Sequence, residues 1–391
     1  MAGDSTRTPV PDAVPLAVAE PGVAPTAAEE RVSLASNWTL VWWRFRKHRL
    51  AMASAVVLLG LYAIVLCPDF FSTQDPEFTD ARLAFIAVQR PRLFDGFRLS
   101  PWVPAVVGKR NPTTLRMEWQ VDPGRKVPVR FFVRGYPYRL LGLIPATIHL
   151  LGTGETSVGT DRVHLLGTDR LGRDQWSRLM HGTQTSMTIG LVAVTLSVVL
   201  GVLLGGVSGY FGGKADQVIQ RLIELLQSLP TIPIWLALTA ALPRDWTPIQ
   251  VFFAITVILS LVGWTTLGRE VRSRFLALRE EDFVLAAELA GCGRPRIILR
   301  HMVPTFLSHI IATSTLAIPA MIINETSLSF LGLGIRPPAI SWGVLLQEAQ
   351  NIQTLALAPW LLIPGLVVIL SVLAFNLVGD GLRDAAAPYS H

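Results

Sequence analysis

DFVLAAELAGCGRPRIILRHMVPT, residues Asp282–Thr305, is a polar, arginine-bearing stretch set between two hydrophobic segments that are each long enough to cross a bilayer. Phe283 to Ala290 predicts a short helix, Gly291 to Gly293 a turn, and Pro295 the opening of a second helix. Proline suits a first helical turn because the N–H it lacks would have no partner there, and the turn glycines reach positive φ without a steric penalty. Such a loop is built to meet something in the aqueous phase beside the membrane.

Outward from this loop, composition fixes the class. A chain of 391 residues, 51% hydrophobic and 16% charged, is too apolar for an ordinary soluble domain. Six segments hold roughly the 20 apolar residues that a span requires: about 50–69, 183–210, 222–242, 249–268, 303–324 and 356–378. Ahead of the first, NWTLVWWRFRKHR (Asn37–Arg49) puts Trp42, Trp43 and Phe45 at the interface and leaves Arg44, Arg46, Lys47 and Arg49 in the cytoplasm, so the N-terminus is expected inside. Six crossings from there place the 269–302 loop in the cytoplasm and the C-terminus inside as well. That loop carries seven arginines, Arg269, Arg272, Arg274, Arg279, Arg294, Arg296 and Arg300, as the positive-inside rule requires. Residues 1–36, rich in Ala, Pro and Val, read as a disordered cytoplasmic tail without the basic start and apolar core of a signal peptide.

The same patterns exclude other classes. The net charge of +6 comes from basic residues beside hydrophobic spans, which fits orientation and contact with membrane lipid and gives no nucleic-acid footprint. Cys67 and Cys292 fall on opposite sides of the membrane, so no disulfide is expected, and neither has a metal-ligand spacing. The seven histidines are scattered, and no H-E-x-x-H, G-x-S-x-G or G-x-x-x-x-G-K-[ST] occurs. The glycine cluster from Gly152 to Gly159 has no lysine to hold phosphates. No catalytic, cofactor or metal site is expected in this chain.

The segment 70–182 is expected outside. It is basic (Arg82, Arg90, Arg92, Arg98, Lys109, Arg110, Arg125, Lys126), but loops beyond about 60 residues escape the charge bias. Arg116–Val121 and Val127–Val133 flank the turn sequence Asp122-Pro123-Gly124 and predict a β-hairpin inside this insertion.

Ala286, Ala287, Gly291 and Pro304 fall on the small-small, glycine and proline positions of the coupling-loop motif of bacterial ABC importer permeases, which the loop therefore resembles. With Arg300 and His301 it is similar to the oligopeptide, dipeptide and nickel branch; Leu285 replaces the motif's acidic residue, and His301 and Val303 replace its usual Ile and Leu. The resemblance extends over about 165–385: Leu166–Asp174 (LGTDRLGRD), Gly209–Gly213 (GYFGG), Glu325–Gly334 (ETSLSFLGLG) and Gly379–Asp384 (GDGLRD) follow in order. The run Phe131–Pro145, FFVRGYPYRLLGLIP, is similar to the longer insertion of microcin-type peptide permeases.

The resemblance implies an all-α transmembrane fold, the six-helix type I ABC importer permease, with a large extracytoplasmic insertion containing some β structure. It divides the chain into a tail (1–36), an interfacial segment and first span (37–69), the insertion and elbow (70–182), a core with five spans (183–385) and a C-terminal tail (386–391). It implies a second homologous permease subunit, two cytoplasmic ABC ATPases that hold ATP and Mg, and an extracytoplasmic solute-binding protein, with peptides or similar solutes moved by alternating access. The expected ATPase-coupling residues are Val284, Leu285, Ala286, Ala287, Leu289, Gly291, Arg294, Arg296, Arg300, His301 and Pro304. Leu285 and Leu289 would bury in a partner groove that the small Ala286 and Ala287 let approach. Gly167, Thr168, Asp169, Gly172, Arg173 and Asp174 would form a structural elbow, with Asp169, Arg170, Arg173 and Asp174 pairing at short range.

Charges at membrane depth complete the reading. Arg221 and Glu224 can neutralise each other at i,i+3; Glu325 and Asp380 read as interfacial anchors or subunit contacts; Pro230, Pro233 and Pro319 read as kinks. A proton-coupled secondary transporter is the alternative from composition, but it calls for mid-span carboxylates and internal symmetry that the sequence does not display.

Overall fold

Five helices among the described residues are long and apolar enough to cross a membrane, and a sixth, bent pair joins them. The computed structural model describes residues 37–95, 98–113, 117–154, 159–243 and 245–386; the expected tails, 1–36 and nearly all of 386–391, lie outside these. In chain order α1 (Asn37–Lys47) precedes the first spanning helix, α2 (Arg49–Leu66). After the insertion come α3 (Gln175–Phe211), α4 (Gly213–Ser228), α5 (Thr231–Ala240) and α6 (Pro248–Leu278). The short α7 (Asp282–Leu289), α8 (Leu307–Phe330), the short α9 (Trp342–Gln347) and α10 (Ile363–Ala386) complete the bundle.

Contacts at the helix ends settle the crossing number. Phe45 of α1 and Ala51 of α2 pack with Ala385 of α10, so the start of the first span and the end of the last meet at one face of the bundle. The crossings are therefore even in number, and α4 with α5 counts as one of six. That span is not the continuous 222–242 helix expected from hydropathy. It turns by 90° between α4 and α5, because Leu229 and Pro230 take extended backbone and Pro230 supplies no N–H to continue the ladder. Pro230 breaks the helix where a kink was expected, and Pro319 is held inside an otherwise continuous α8.

Two helices outrun the bilayer. At 37 and 31 residues, α3 and α6 reach about 55 and 46 Å against a hydrocarbon core of about 30 Å. The sequence boundaries at 183 and 268 fall inside these helices because their polar ends, Gln175 to His181 and Arg269 to Leu278, lie outside the apolar windows. α3 begins at Asp174, whose side chain accepts the Ser177 N–H.

The two long helices meet through glycine. Gly201, Gly205 and Gly209 recur every four residues on α3 and face α6; a Cβ at Gly205 would lie 2.4 Å from the Gly268 carbonyl oxygen, and one at Gly209 2.7 Å from that of Arg272. Small residues at this spacing allow backbone contact between membrane helices. The main core lies on the insertion side of this seam, with Met187, Ile189, Ile255, Leu259, Ile322 and Trp342 fully buried.

On the face opposite the α1–α10 contact, the insertion builds a three-stranded antiparallel sheet, β1 (Arg92–Asp95), β2 (Arg98–Arg110) and β3 (Met117–Pro128), and a separate hairpin of β4 (Arg130–Leu140) and β5 (Ile144–Gly152). The hairpin expected about Asp122–Gly124 is absent: β3 runs through those residues and pairs with β2 along its length. Asp122 accepts the Gly124 N–H, and the turn is absorbed as a bulge between the Pro104↔Lys126 and Ala105↔Asp122 pairs. The reversal between β4 and β5 is at Leu141 and Gly142, both at positive φ.

A valine at Gly205 would force α3 from α6 and lower stability by about 1–3 kcal/mol, read as an earlier thermal transition of the detergent-solubilised protein. An unchanged transition would contradict the close-packed seam.

Candidate functional site

On the face where α1 meets α10, α7 and the residues after it form a packed helix–turn. α7 closes with a Schellman turn: the Cys292 N–H reaches the Ala287 carbonyl and the Gly291 N–H the Glu288 carbonyl, with Gly291 at φ +75°. The chain resumes as a helical turn at Arg294–Arg296, loosens to a π-helical run over Ile297–Met302 and breaks at Phe306 before α8. Pro304, which has no N–H for the ladder, lies in the helical turn Val303–Thr305 just before that break.

The helix–turn has two faces. Val284, Ile297 and Met302 are fully buried and Ala287 nearly so, packed with Val271 and Phe275 of α6 and with Phe306 and Ile310. Leu285 is 46% and Leu289 90% exposed, and Ala286, Arg294, Arg296, Arg300 and Pro304 are exposed with them while His301 is half-buried. Val284 and Ala287, expected at the partner surface, instead point into the bundle; the helical period puts them on the face opposite Leu285 and Leu289. Arg294 lies over the Phe211 ring at 5.5 Å, and Tyr210 donates to Glu288 at 2.7 Å. Nearby, Arg272 grips Asp216 of α4 through two nitrogens. Chemically, the surface offers two uncovered leucines edged by arginines on a rigid support, a form suited to a partner's groove.

At the opposite face, the elbow glycines have steric causes. Gly172 has φ +74° and a Cβ there would overlap the Asp80 carbonyl; Gly167 has φ +71° beneath Ile86 and Trp360. Thr168 donates to the Leu83 carbonyl at 2.6 Å and accepts the Ile86 N–H at 2.8 Å. Only part of the expected pairing forms. Arg173 Nε donates to Asp169 Oδ2 at 2.7 Å, but Arg170 stays outside the cluster, and Asp174 caps α3 and accepts from Thr73. The buried Arg178 of α3 and the distant Glu348 complete the cluster: Arg178 donates to both Asp169 and Glu348, and Arg173 also reaches Glu348. Arg178 was hidden at the polar end of an apolar run, and Glu348 carried no motif.

The hairpin is clamped beside this elbow. Tyr136 donates to Asp69 at 2.9 Å, His181 lies 3.3 Å from the same carboxylate, and His149 approaches the Asp69 carbonyl at 2.7 Å. Burial raises the Asp69 pKa, but hydrogen bonding and charge from His181, with the Tyr136 hydroxyl, outweigh it and hold the carboxyl below its ordinary 3.8. Burial, with Asp69 beside it, pushes the Tyr136 hydroxyl well above its ordinary value.

The remaining charges divide. Arg221 pairs with Glu224 at 2.7 Å and Asp380 with Arg383 at 3.0 Å, both on exposed surface. Glu325 is no interfacial anchor: it is fully buried within the bundle, where hydroxyls satisfy it.

With this geometry in place, comparison with known proteins identifies the chain. Residues 174–389 match the family described as "Binding-protein-dependent transport system inner membrane component". The chain belongs to that family. Residues 36–91 also match the "N-terminal TM domain of oligopeptide transport permease C". The oligopeptide transport system permease protein OppC of Bacillus subtilis (strain 168) is 35% identical over 226 residues, covering 58% of this chain and 72% of its own. The dipeptide transport system permease protein DppC of Alkalihalophilus pseudofirmus is 37% identical over 231 residues, 59% of this chain and 73% of its own. The solved inward-facing MetNI methionine ABC transporter aligns over 53% of this chain and 95% of its own at 15% identity and TM-score 0.41. The protein is thus a multi-pass inner-membrane transport permease of that family, and its β-structured insertion lies largely between the two matched regions.

Asp169→Asn would leave Arg173 and Arg178 with Glu348 as their one carboxylate; breaking a buried pair outright costs about 3–5 kcal/mol and the remaining partner lessens that, so the variant is expected to unfold at lower denaturant, and wild-type behaviour would contradict the cluster's role. The Asp69 clamp has a lowered folded pKa, so its stabilisation is complete above the ordinary 3.8 and is lost as pH falls through the lower folded value. Proteolysis of the hairpin should therefore rise only on that acid side in the wild type and at neutral pH in Asp69→Asn; a pH-independent rate equal in both would refute the clamp.

Proposed function

We propose that this permease is one half of the translocation pathway of an ATP-driven importer for peptides or similar solutes. The observation that carries the reading is the two-faced helix–turn: one face fused to α6 and α8, the other presenting Leu285 and Leu289 uncovered between arginines. A second homologous permease, two ABC ATPases that hold ATP and Mg, and a solute-binding protein complete the assembly, and the face bearing α7 and the α1–α10 contact is cytoplasmic. Leu285, Ala286, Leu289, Arg294, Arg296, Arg300 and His301 form the docking surface; Val284, Ala287, Gly291 and Pro304 fix its shape and join it to the bundle.

The mechanism follows from that connection. Closure of the ATPases on ATP displaces the helix–turn, and because Val284 and Ala287 are packed on Phe275, the displacement is delivered to α6. α6 and α3 share the glycine seam, so they move together and open the outer end to receive cargo; hydrolysis reverses the motion. The peptide class is supported by the similarity to OppC and DppC.

Burying a leucine is worth about 1.5–3 kcal/mol, so Leu289→Asp is expected to weaken ATPase association by at least about tenfold, measured by titrating purified ATPase onto permease in nanodiscs. Gly291→Pro, which removes both the N–H and the positive φ of the turn, is expected to abolish cargo-stimulated ATPase while leaving membrane insertion intact. Normal association and stimulation in these variants would overturn the docking assignment.

A further inference from the structure

The buried carboxylate of Glu325 holds both ends of a loop on the insertion face. Glu325, in α8, accepts at both oxygens: from Ser186 of α3 at 2.8 Å and from Ser329, one turn on, at 2.8 Å. Each serine oxygen in turn accepts a backbone N–H of the connecting loop, Ser186 from Trp342 at 3.1 Å and Ser329 from Ile335 at 3.0 Å. An amide N–H can only donate, so both hydroxyl protons are turned to the carboxylate. Two relays converge on one side chain.

The surroundings leave these relays no slack. Glu325, Ser186, Ser329 and Trp342 are fully buried, and a Cβ at Gly334 or Gly343 would lie 2.5 Å from Ser329 atoms. The Trp342 indole N–H adds a bond to Thr183 of α3 at 3.1 Å. Among the described residues no ion pair reaches Glu325, so hydroxyls alone satisfy it. A carboxylate buried in this way is a weak source of stability compared with an apolar replacement, and its specific effect is geometric.

What it positions is the arch between the two feet. Residues 336–340 stand between Ile335 and Trp342, with Arg336, Pro337 and Pro338 exposed. They help wall three cavities on the insertion face, of about 260, 590 and 410 Å³: one with Trp246 and Val251, one with Asp69, Tyr138 and His181, one with Arg170 and Gln347. We infer that Glu325 is a positioning residue for cargo delivery: by fixing Ile335 and Trp342 it sets the arch 336–340, the part of the insertion face that meets the loaded binding protein. The functional half of this inference rests on the importer reading; the structural half does not.

Two readouts keep the halves apart. Hydrogen exchange of the full chain in nanodiscs is expected to show lost protection over 333–345 in Glu325→Gln, whose amide must offer an N–H to one relay, and a similar loss in Ser186→Ala and Ser329→Ala, with 187–200 unchanged. In the reconstituted complex, the concentration of cargo-loaded binding protein that half-saturates ATPase should rise by about tenfold, the loss of roughly one hydrogen bond, with the maximal rate held. Unchanged protection would overturn the arch assignment, and lost protection with an unchanged half-saturating concentration would overturn its role in delivery. A fall in maximal rate alone would mark a general packing role and also overturn it. A wild-type complex with no cargo stimulation would reject the importer reading and the delivery role with it, while the exchange data would still decide what Glu325 holds.

Discussion

The glycine seam between α3 and α6 is the contact on which the rest of the molecule depends. In a bilayer, lipid tails compete equally for apolar side chains, so helices associate by close packing more than by hydrophobic burial. Gly201, Gly205 and Gly209 bring α3 to the backbone of α6 at Gly268 and Arg272. Both helices project beyond the bilayer, and each projecting end carries one piece of machinery. The base of α6 holds the helix–turn through Phe275; the head of α3 holds the elbow and insertion through Asp174, Ser177 and Arg178. One rigid pair thus joins the two faces.

The bent span is the counterpart of that rigidity. α4 and α5 leave Val218, Leu222, Leu225 and Ile232 uncovered within the chain, while Arg272 to Asp216 and Gln227 to Thr265 tether α4 to α6. A 90° break without a covering neighbour is tolerated in a membrane where another protein surface or an aqueous cavity satisfies the freed backbone. This suits the proposed role as half of a pathway.

Much of this was legible in the sequence because it is written in local signals. Hydropathy located the spans, and Gly291 with Pro295 gave the helix–turn nearly to the residue. Features that failed to show share a physical cause: they depend on partners distant in the chain. Arg178 gains meaning only beside Glu348, and Glu325 became a hub because Ser186 and Trp342 close around it. Asp122-Pro123-Gly124 made the turn its composition favours, but pairing with β2 along the whole strand reduced it to a bulge. The G-x-x-x-G spacing of Gly201 to Gly209 is a local signal of close helix packing that hydropathy does not register.

The account's central claim is that α7 has a docking face and a transmitting face, and site-specific photocrosslinking in the intact native membrane tests it most directly. A photoreactive side chain at position 289 is expected to capture an ABC ATPase subunit, and the same group at position 284 to crosslink only within this chain. Failure to capture an ATPase from position 289 in transport-competent membranes, or equal capture from both positions, would contradict it.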